Sequence, residues 1–208
     1  MYTPTHFRED RLDVLHALMR AEPFATVVTA MDGVPEATHL PLLLDASRGP
    51  YGALRGHMAR ANPQWRAFDG ERQALVIFQG PHAYISPSWY ATSPSAPTWN
   101  YLVAHAYGRP RVIEDAEEVL RLLTQTVATF ETPFERPWSA DSLPEGYIAG
   151  LAKGVVAFEM VIERIEGKAK LSQNRPADRE GVIAALESGG TAMGTGVAGE
   201  MRNRPLGA

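Results

Sequence analysis

Arg60, Asn62 and Pro63 are spaced as a cation, a capping amide and a first helical residue, a combination that suits a phosphate. They sit in Gly56-His57-Met58-Ala59-Arg60-Ala61-Asn62-Pro63-Gln64-Trp65. The residues from Ala53 to Met58 read as a strand, and Gly56 admits close approach of another backbone or a ligand. Asn62 then stands at an N-cap and Pro63 at the first helical position, where its missing N–H costs nothing. Free N–H groups at a helix start would join Arg60 in holding an anion. The competing reading is an ordinary capped helix with Arg60 and His57 facing solvent.

Two further groups of residues could serve a ligand. Lys168, Lys170 and Arg175, with Gln173 and Asn174, read either as a solvated basic loop or as a second anion and amide contact. Trp89, Tyr90, Trp99 and Tyr101 are either core or a wall for a flat ring. Other signals fail on context. Gly194, Gly196 and Gly199 spell G-x-G-x-x-G, but no strand precedes them and no βαβ unit surrounds them. Six histidines lack metal-ligand spacing, so no metal site is expected. The serines Ser86, Ser88, Ser93 and Ser95 form no nucleophile elbow, and no catalytic residue is assigned. No tight pair of helices with a basic second member reads as a DNA-binding motif.

The elements that must position these residues follow from patterning. The chain has 208 residues, 45% apolar and 21% charged, ordinary values for one globular domain. With no cysteine, disulfides and thiolate metal sites are excluded. No apolar run approaches a membrane span, and the first residues lack a signal-peptide profile, so a cytoplasmic protein is expected. A net charge of −4 argues against a bulk nucleic-acid footprint.

Asp10 to Arg20 has helical apolar spacing. Phe24–Ala30 and Val34–Asp45 flank an Asp32-Gly33 turn as a hairpin. Ala74–Phe78 reads as a strand buried on both faces, ended by Gly80-Pro81. Thr98 to Ile113 is extended, with an aromatic and then basic odd-numbered face. Asp115 to Phe130 is a capped helix with a buried stripe at Val119, Leu123, Val127 and Phe130. A short helix is expected around Leu143 to Leu151, a strand over Gly154–Glu166, and a last helix opened by Pro176 and Asp178. From Gly189 the glycine-rich chain reads as loosely held, so that 168–208 forms a loop, a helix and a tail. Strands that follow one another without intervening helices point to a mainly β, α+β fold: a closed or split antiparallel barrel with peripheral helices.

The start Met1-Tyr2-Thr3-Pro4-Thr5-His6-Phe7, the stretch Thr38-His39-Leu40-Pro41-Leu42 and the Gly56–Trp65 motif resemble the PaiB-type FMN-binding negative transcriptional regulators. So do Gly80 to Tyr90, Pro97-Thr98-Trp99-Asn100-Tyr101 and Lys168 to Arg175. The resemblance implies an FMN-binding split β-barrel and a homodimer with flavin at the subunit interface. It places FMN phosphate and ribityl contacts at His57, Arg60, Asn62 and Pro63, with Gln64 and Trp65 in the same motif. Trp99 and Asn100, with Trp89 and Tyr90, would line the ring or come from the partner. Lys170, Gln173, Asn174 and Arg175 would close the site. It also implies a transcriptional regulator, or alternatively an FMN-dependent oxidoreductase of the pyridoxamine-phosphate-oxidase-like group.

Overall fold

A computed structural model describes residues 1–139, 143–144 and 146–204. The strands are β1 (Arg8–Glu9), β2 (Phe24–Met31), β3 (Val34–Pro41), β4 (Leu43–Asp45), β5 (Ala53–Ala59), β6 (Ala74–Ile85), β7 (Thr98–Gly108), β8 (Arg111–Val112) and β9 (Val155–Lys170). The α-helices are α1 (Leu12–Ala21), α2 (Ala116–Glu131), α3 (Tyr147–Ala152), α4 (Arg179–Ser188) and α5 (Ala192–Asn203). Among the described residues the strands run in the order β3-β2-β6-β7-β9-β5-β4, and β1 and β8 also pair with β9. The pairings of β1, β2, β4, β5 and β8 are antiparallel. This is the large antiparallel sheet with outlying helices that strand-after-strand patterning implies.

The chain divides into two compact units, both discontinuous: residues 1–21, 79–105 and 166–208 form the first, and 22–78 with 106–165 the second. One boundary falls at the end of α1 and the other three inside β6, β7 and β9. In the second unit the Asp32-Gly33 turn is as read. Both residues take positive φ, 52° and 79°, as a two-residue turn matched to strand twist requires, and Met31 pairs with Val34. Phe68 and Phe158 pack at 4.7 Å between centroids in its buried interior, with Leu54, Met58 and Met160 also buried. Gly56 is needed for packing rather than for a ligand: a Cβ there would lie 2.5 Å from Leu42 Cδ2.

Several boundaries move. β6 does not stop at Gly80-Pro81 but runs to Ile85, and its apolar run is buried on alternate residues, not on both faces. Gly80 admits Leu18, whose Cδ1 would be 2.7 Å from an added Cβ. On α2 the Asp115 cap is real, its carboxylate accepting from the Glu118 N–H at 2.7 Å. The fully buried residue there is Leu122, while Val127 is exposed, because only one narrow face of the helix meets protein. The helix expected around Leu143 starts at Tyr147; Ala140, Asp141, Ser142 and Glu145 lie outside the described residues. Lys168 to Lys170 belong to β9, not to a loop.

The largest change is at the end of the chain. Residues 192–203 are a helix, capped by the Thr191 hydroxyl accepting from Gly194 N–H at 3.1 Å. Val197, Ala198 and Met201 are buried with Ile85, Leu102, Leu171, Val182 and Ile183 in the core of the first unit. Gly196 does here what a small residue does in a close helix contact. A Cβ on Gly196 would sit 3.0 Å from Pro81. Residues 205–208 of the expected tail lie outside the described residues.

Candidate functional site

In the second unit β5 delivers His57, and the chain then crosses to a 3₁₀ turn at Pro63–Ala67. Asn62 is the N-cap, its Oδ1 accepting from Gln64 N–H at 3.0 Å, and Pro63 is the first residue of the turn. The turn is a single 3₁₀ turn rather than the α-helix the sequence implies, so no helix dipole adds to the site. Asn62 Nδ2 donates to Thr38 Oγ1 at 2.9 Å, which ties the crossing to β3.

Arg60 is exposed and turns onto β9. Its Nε donates to the Lys153 carbonyl at 2.9 Å and its Nη2 to the Val155 carbonyl at 2.7 Å. Two of its three nitrogens are thus engaged, and its charge stays on the crossing. Trp65 Nε1 donates to the Arg60 carbonyl at 3.0 Å, which fixes the indole beside it. His57 is half-buried on β5, opposite Ala157. Burial pushes its imidazole pKa down from the ordinary value, and its Nδ1 is buried without a hydrogen-bond partner. Gln64 is fully buried. Its Nε2 donates to the Val27 carbonyl, Thr29 Oγ1 and the Glu36 carbonyl at 3.0, 3.1 and 3.1 Å, so it braces the crossing against the β2–β3 hairpin.

In the first unit the structure brings Trp99, Asn100 and Lys170 together. Lys170 Nζ donates to Thr98 Oγ1 at 2.5 Å and to the Trp99 carbonyl at 2.6 Å. Burial, and then the charge of Lys168, hold the Lys170 pKa below its ordinary value. Trp99 is 53% exposed, edge-on to Tyr84 at 6.1 Å and near His82 at 6.4 Å. That is an open aromatic surface rather than core. Asn100 is fully buried and donates to Ser172 Oγ at 2.9 Å, while its Oδ1 has no partner.

Arg175 forms a second group. Its guanidinium stacks 4.8 Å above the Tyr90 ring and its Nη1 donates to Ser95 Oγ and Asp178 Oδ2, both at 3.2 Å. Asp178 also accepts from Thr92 Oγ1 at 2.7 Å, and that hydrogen bond leads in holding its carboxyl below the usual range. Trp89 and Tyr90 lean on the core of the first unit. Gln173 spends both amide atoms on its own turn, with Leu171 N–H and the Ala169 carbonyl as partners, and Asn174 is exposed.

Two features escaped the sequence. Glu159 is a buried carboxylate that accepts from Arg48 Nη2 at 3.0 Å and from Arg111 Nη2 at 2.7 Å, with Arg55 Nε 3.9 Å away. The partners lie 48 to 111 residues away in sequence, so no local pattern marks them. The second is the pair α4–α5, joined by only Gly189, Gly190 and Thr191, which has helix-turn-helix spacing. Its exposed side chains on α5 include Met193, Thr195 and Arg202. Arg202 is paired with Glu187 at 2.8 Å, so this helix presents no basic reading face.

A family profile described as "Putative FMN-binding domain" matches residues 1–164. The chain is 39% identical over 189 residues to the protease synthase and sporulation protein PAI 2 of Bacillus subtilis (strain 168), covering 90% of each. It is 32% identical to an uncharacterized protein of Emericella nidulans, covering 98% of this chain and 97% of that one. Among solved structures, the flavocytochrome Anf3 of Azotobacter vinelandii matches with a TM-score of 0.58 at 17% identity, covering 78% of this chain and 69% of that one. The FAD and heme binding protein of Mycobacterium smegmatis matches with a TM-score of 0.57 at 19% identity, covering 78% and 73%. At such identities the likeness is one of fold, and the fold is the α+β split barrel that the strand order implies. With its Gly56–Trp65 crossing and matching residues over most of its length, the chain belongs to the PaiB-type FMN-binding domain family.

Proposed function

We propose that this chain works as a homodimer with FMN at the subunit interface, and that it acts as a flavin-responsive regulator, directly or through a partner. The observation that carries the flavin reading is the crossing itself: a cation at Arg60, a fixed indole at Trp65 and the unpaired, buried Nδ1 of His57 within ten residues of one β-strand end. An unmatched buried polar atom is costly unless something pairs with it. A phosphate oxygen or ribityl hydroxyl would supply that partner. Under this reading Arg60, through its remaining nitrogen and its charge, and His57 hold the anionic end of FMN. Asn62, Pro63 and Gln64 act as positioning residues that fix the crossing.

In the first unit Trp99 offers an exposed ring for stacking or for a partner subunit. Lys170, anchored on the Trp99 carbonyl, places a cation beside it, and Asn174 and Arg175 follow at the strand end. Asn100 and Gln173 hold the backbone that presents these groups. FMN would supply the redox chemistry, as flavins do. The regulatory reading draws on the relation to the Bacillus protein, whose name speaks of protease synthesis and sporulation.

The test is an absorbance titration of the purified chain with FMN, alongside sedimentation to give its oligomeric state. Saturation at one FMN per chain in a dimer supports the proposal. Absence of saturable binding, or a monomer that binds FMN fully, overturns the corresponding half of it. NAD(P)H-driven turnover of bound flavin would move the assignment from regulator to oxidoreductase.

A further inference from the structure

We infer that FMN loading of this chain is coupled to the uptake of a proton at His57, so that flavin is held more tightly in mildly acidic than in mildly alkaline solution. The inference rests on the reading that the FMN phosphate binds at the Gly56–Trp65 crossing, and it adds a regulation of that site. His57 is half-buried on β5, and its Nδ1 is enclosed with no hydrogen-bond partner.

On its own the chain holds His57 neutral at neutral pH. The elements α2, β3, β4 and β9 pack on β5. From α2 comes Glu118, which is spent on Arg55 Nη2 at 2.7 Å. From β9 comes Glu159, held by Arg48 and Arg111. On β4, Asp45 accepts from Ser47 N–H at 3.0 Å. On β3 stand Glu36, half-buried, and His39, exposed and stacked on Phe24. β5 itself adds Arg55, and the crossing adds Arg60, turned onto the Lys153 and Val155 carbonyls. Burial is the one cause of the lowered His57 pKa, so none of these charges offsets it.

A phosphate oxygen reverses that balance. It can only accept, so Nδ1 must donate to it, and the dianion beside the ring favours the charged imidazole by about 1–3 pKa units. A pKa that starts below 6.5 then crosses neutrality. Between the two pKa values the loaded chain holds one more proton than the free chain. Affinity therefore drops with rising pH, by up to about tenfold per pH unit. The phosphate takes its own second proton only near pH 6, so above about pH 6.5 the slope reports the protein.

The experiment is isothermal calorimetry of FMN with the full chain at neutral pH in two buffers of different ionisation enthalpy, which counts protons. Dissociation constants are read at about pH 6.5 and about pH 8. Wild type should take up roughly half a proton or more per FMN, and its affinity should fall about tenfold across that range. Riboflavin, which has no phosphate, should bind without proton uptake. His57→Gln, checked for folding by circular dichroism, should bind FMN more weakly, with no proton uptake and the same constant at both pH values. FMN that binds wild type with no proton uptake would mean that a neutral imidazole donates. Equal uptake with riboflavin, or uptake that survives in the glutamine variant, would place the proton elsewhere. Each of these overturns the inference and leaves the flavin reading standing. Should the variant not fold, the wild-type proton counts with FMN and riboflavin still decide. If FMN does not bind at all, the flavin reading and this inference fall together.

Discussion

Replacing Gln64 by glutamate separates a brace from a ligand contact. Gln64→Glu keeps the shape of a fully buried side chain and exchanges its NH₂ for an oxygen. In the native chain that NH₂ serves the Val27 carbonyl, Thr29 Oγ1 and the Glu36 carbonyl. The Thr29 hydroxyl can turn and donate to the new oxygen, while a protonated carboxyl has one O–H for a single carbonyl and an ionised one has none for either. Each buried acceptor left without a donor costs about 1 kcal/mol or more. Burial also favours the protonated carboxyl, which at neutral pH costs about 1.4 kcal/mol for each unit by which its folded pKa is raised above the unfolded one.

The sum at neutral pH is about 4 kcal/mol, which for a chain of this size lowers Tm by roughly 8–16 °C. The sign with pH is fixed. A carboxyl whose folded pKa lies above its unfolded value destabilises most at high pH, and the loss shrinks as pH falls toward about 5. Thermal unfolding of the FMN-free protein at two pH values, followed by circular dichroism, reads both effects. A variant that melts with wild type in the absence of FMN, yet binds FMN more weakly, would show that Gln64 touches the ligand and that the bracing argument is wrong.

Arg60→Ala should raise the FMN dissociation constant about tenfold, the loss of one exposed charge-assisted contact of about 1.5 kcal/mol; flavin fluorescence quenching measures it, and an unchanged constant would move the phosphate elsewhere. Glu159→Gln should cost about 2–3 kcal/mol in urea unfolding. That is below the figure for a fully buried pair, because the Arg48 and Arg111 side chains remain 39% and 66% exposed. For Glu159, burial alone would raise the carboxyl pKa, but hydrogen bonds from Arg111 and Arg48 and their charges hold it below 4.5. Its stabilisation is therefore present above pH 4.5 and lost as pH falls through the lower folded value, a slope the glutamine variant should lack. His57→Gln should flatten the stability profile below pH 6.5: burial depresses the imidazole pKa from 6.5, so the unfolded chain takes up the proton first and wild type weakens as pH drops. Equal slopes in urea titrations of the two proteins would refute this.

What the sequence made legible was what local chemistry decides. Asp32-Gly33 could only be a tight turn, since two successive positive φ angles leave few other residues. Asn62 and Asp115 were readable as caps because their role needs only the next two or three N–H groups. The character of β7 was also readable: Trp99, Tyr101 and His105 alternate with Asn100, Leu102 and Ala104, and the second set is the buried one. Where contacts are remote, the pattern is silent. Gln64 reads as a ligand residue in a phosphate motif, and nothing local announces that its NH₂ reaches the distant carbonyls of Val27 and Glu36. Likewise the glycine-rich stretch from Gly189 reads as slack chain, because the neighbour that Gly196 packs against, Pro81, lies over a hundred residues earlier. Burial of Glu159 depends on three arginines from three strands or loops, and no periodicity announces such a convergence.

The core of the first unit draws Leu102 from the middle of the chain and Val197 and Met201 from its last helix. The second unit contains no residue beyond 165. During synthesis from the N-terminus, at about 5–20 residues per second, the second unit can therefore close while α5 is still inside the ribosome. The first cannot. For those seconds the core that holds Ile85, Leu102 and Leu171 lacks Val197, Ala198 and Met201. A chaperone would meet this protein as a nascent chain half folded, and a nonsense codon anywhere between α4 and α5 would leave that apolar surface exposed for good.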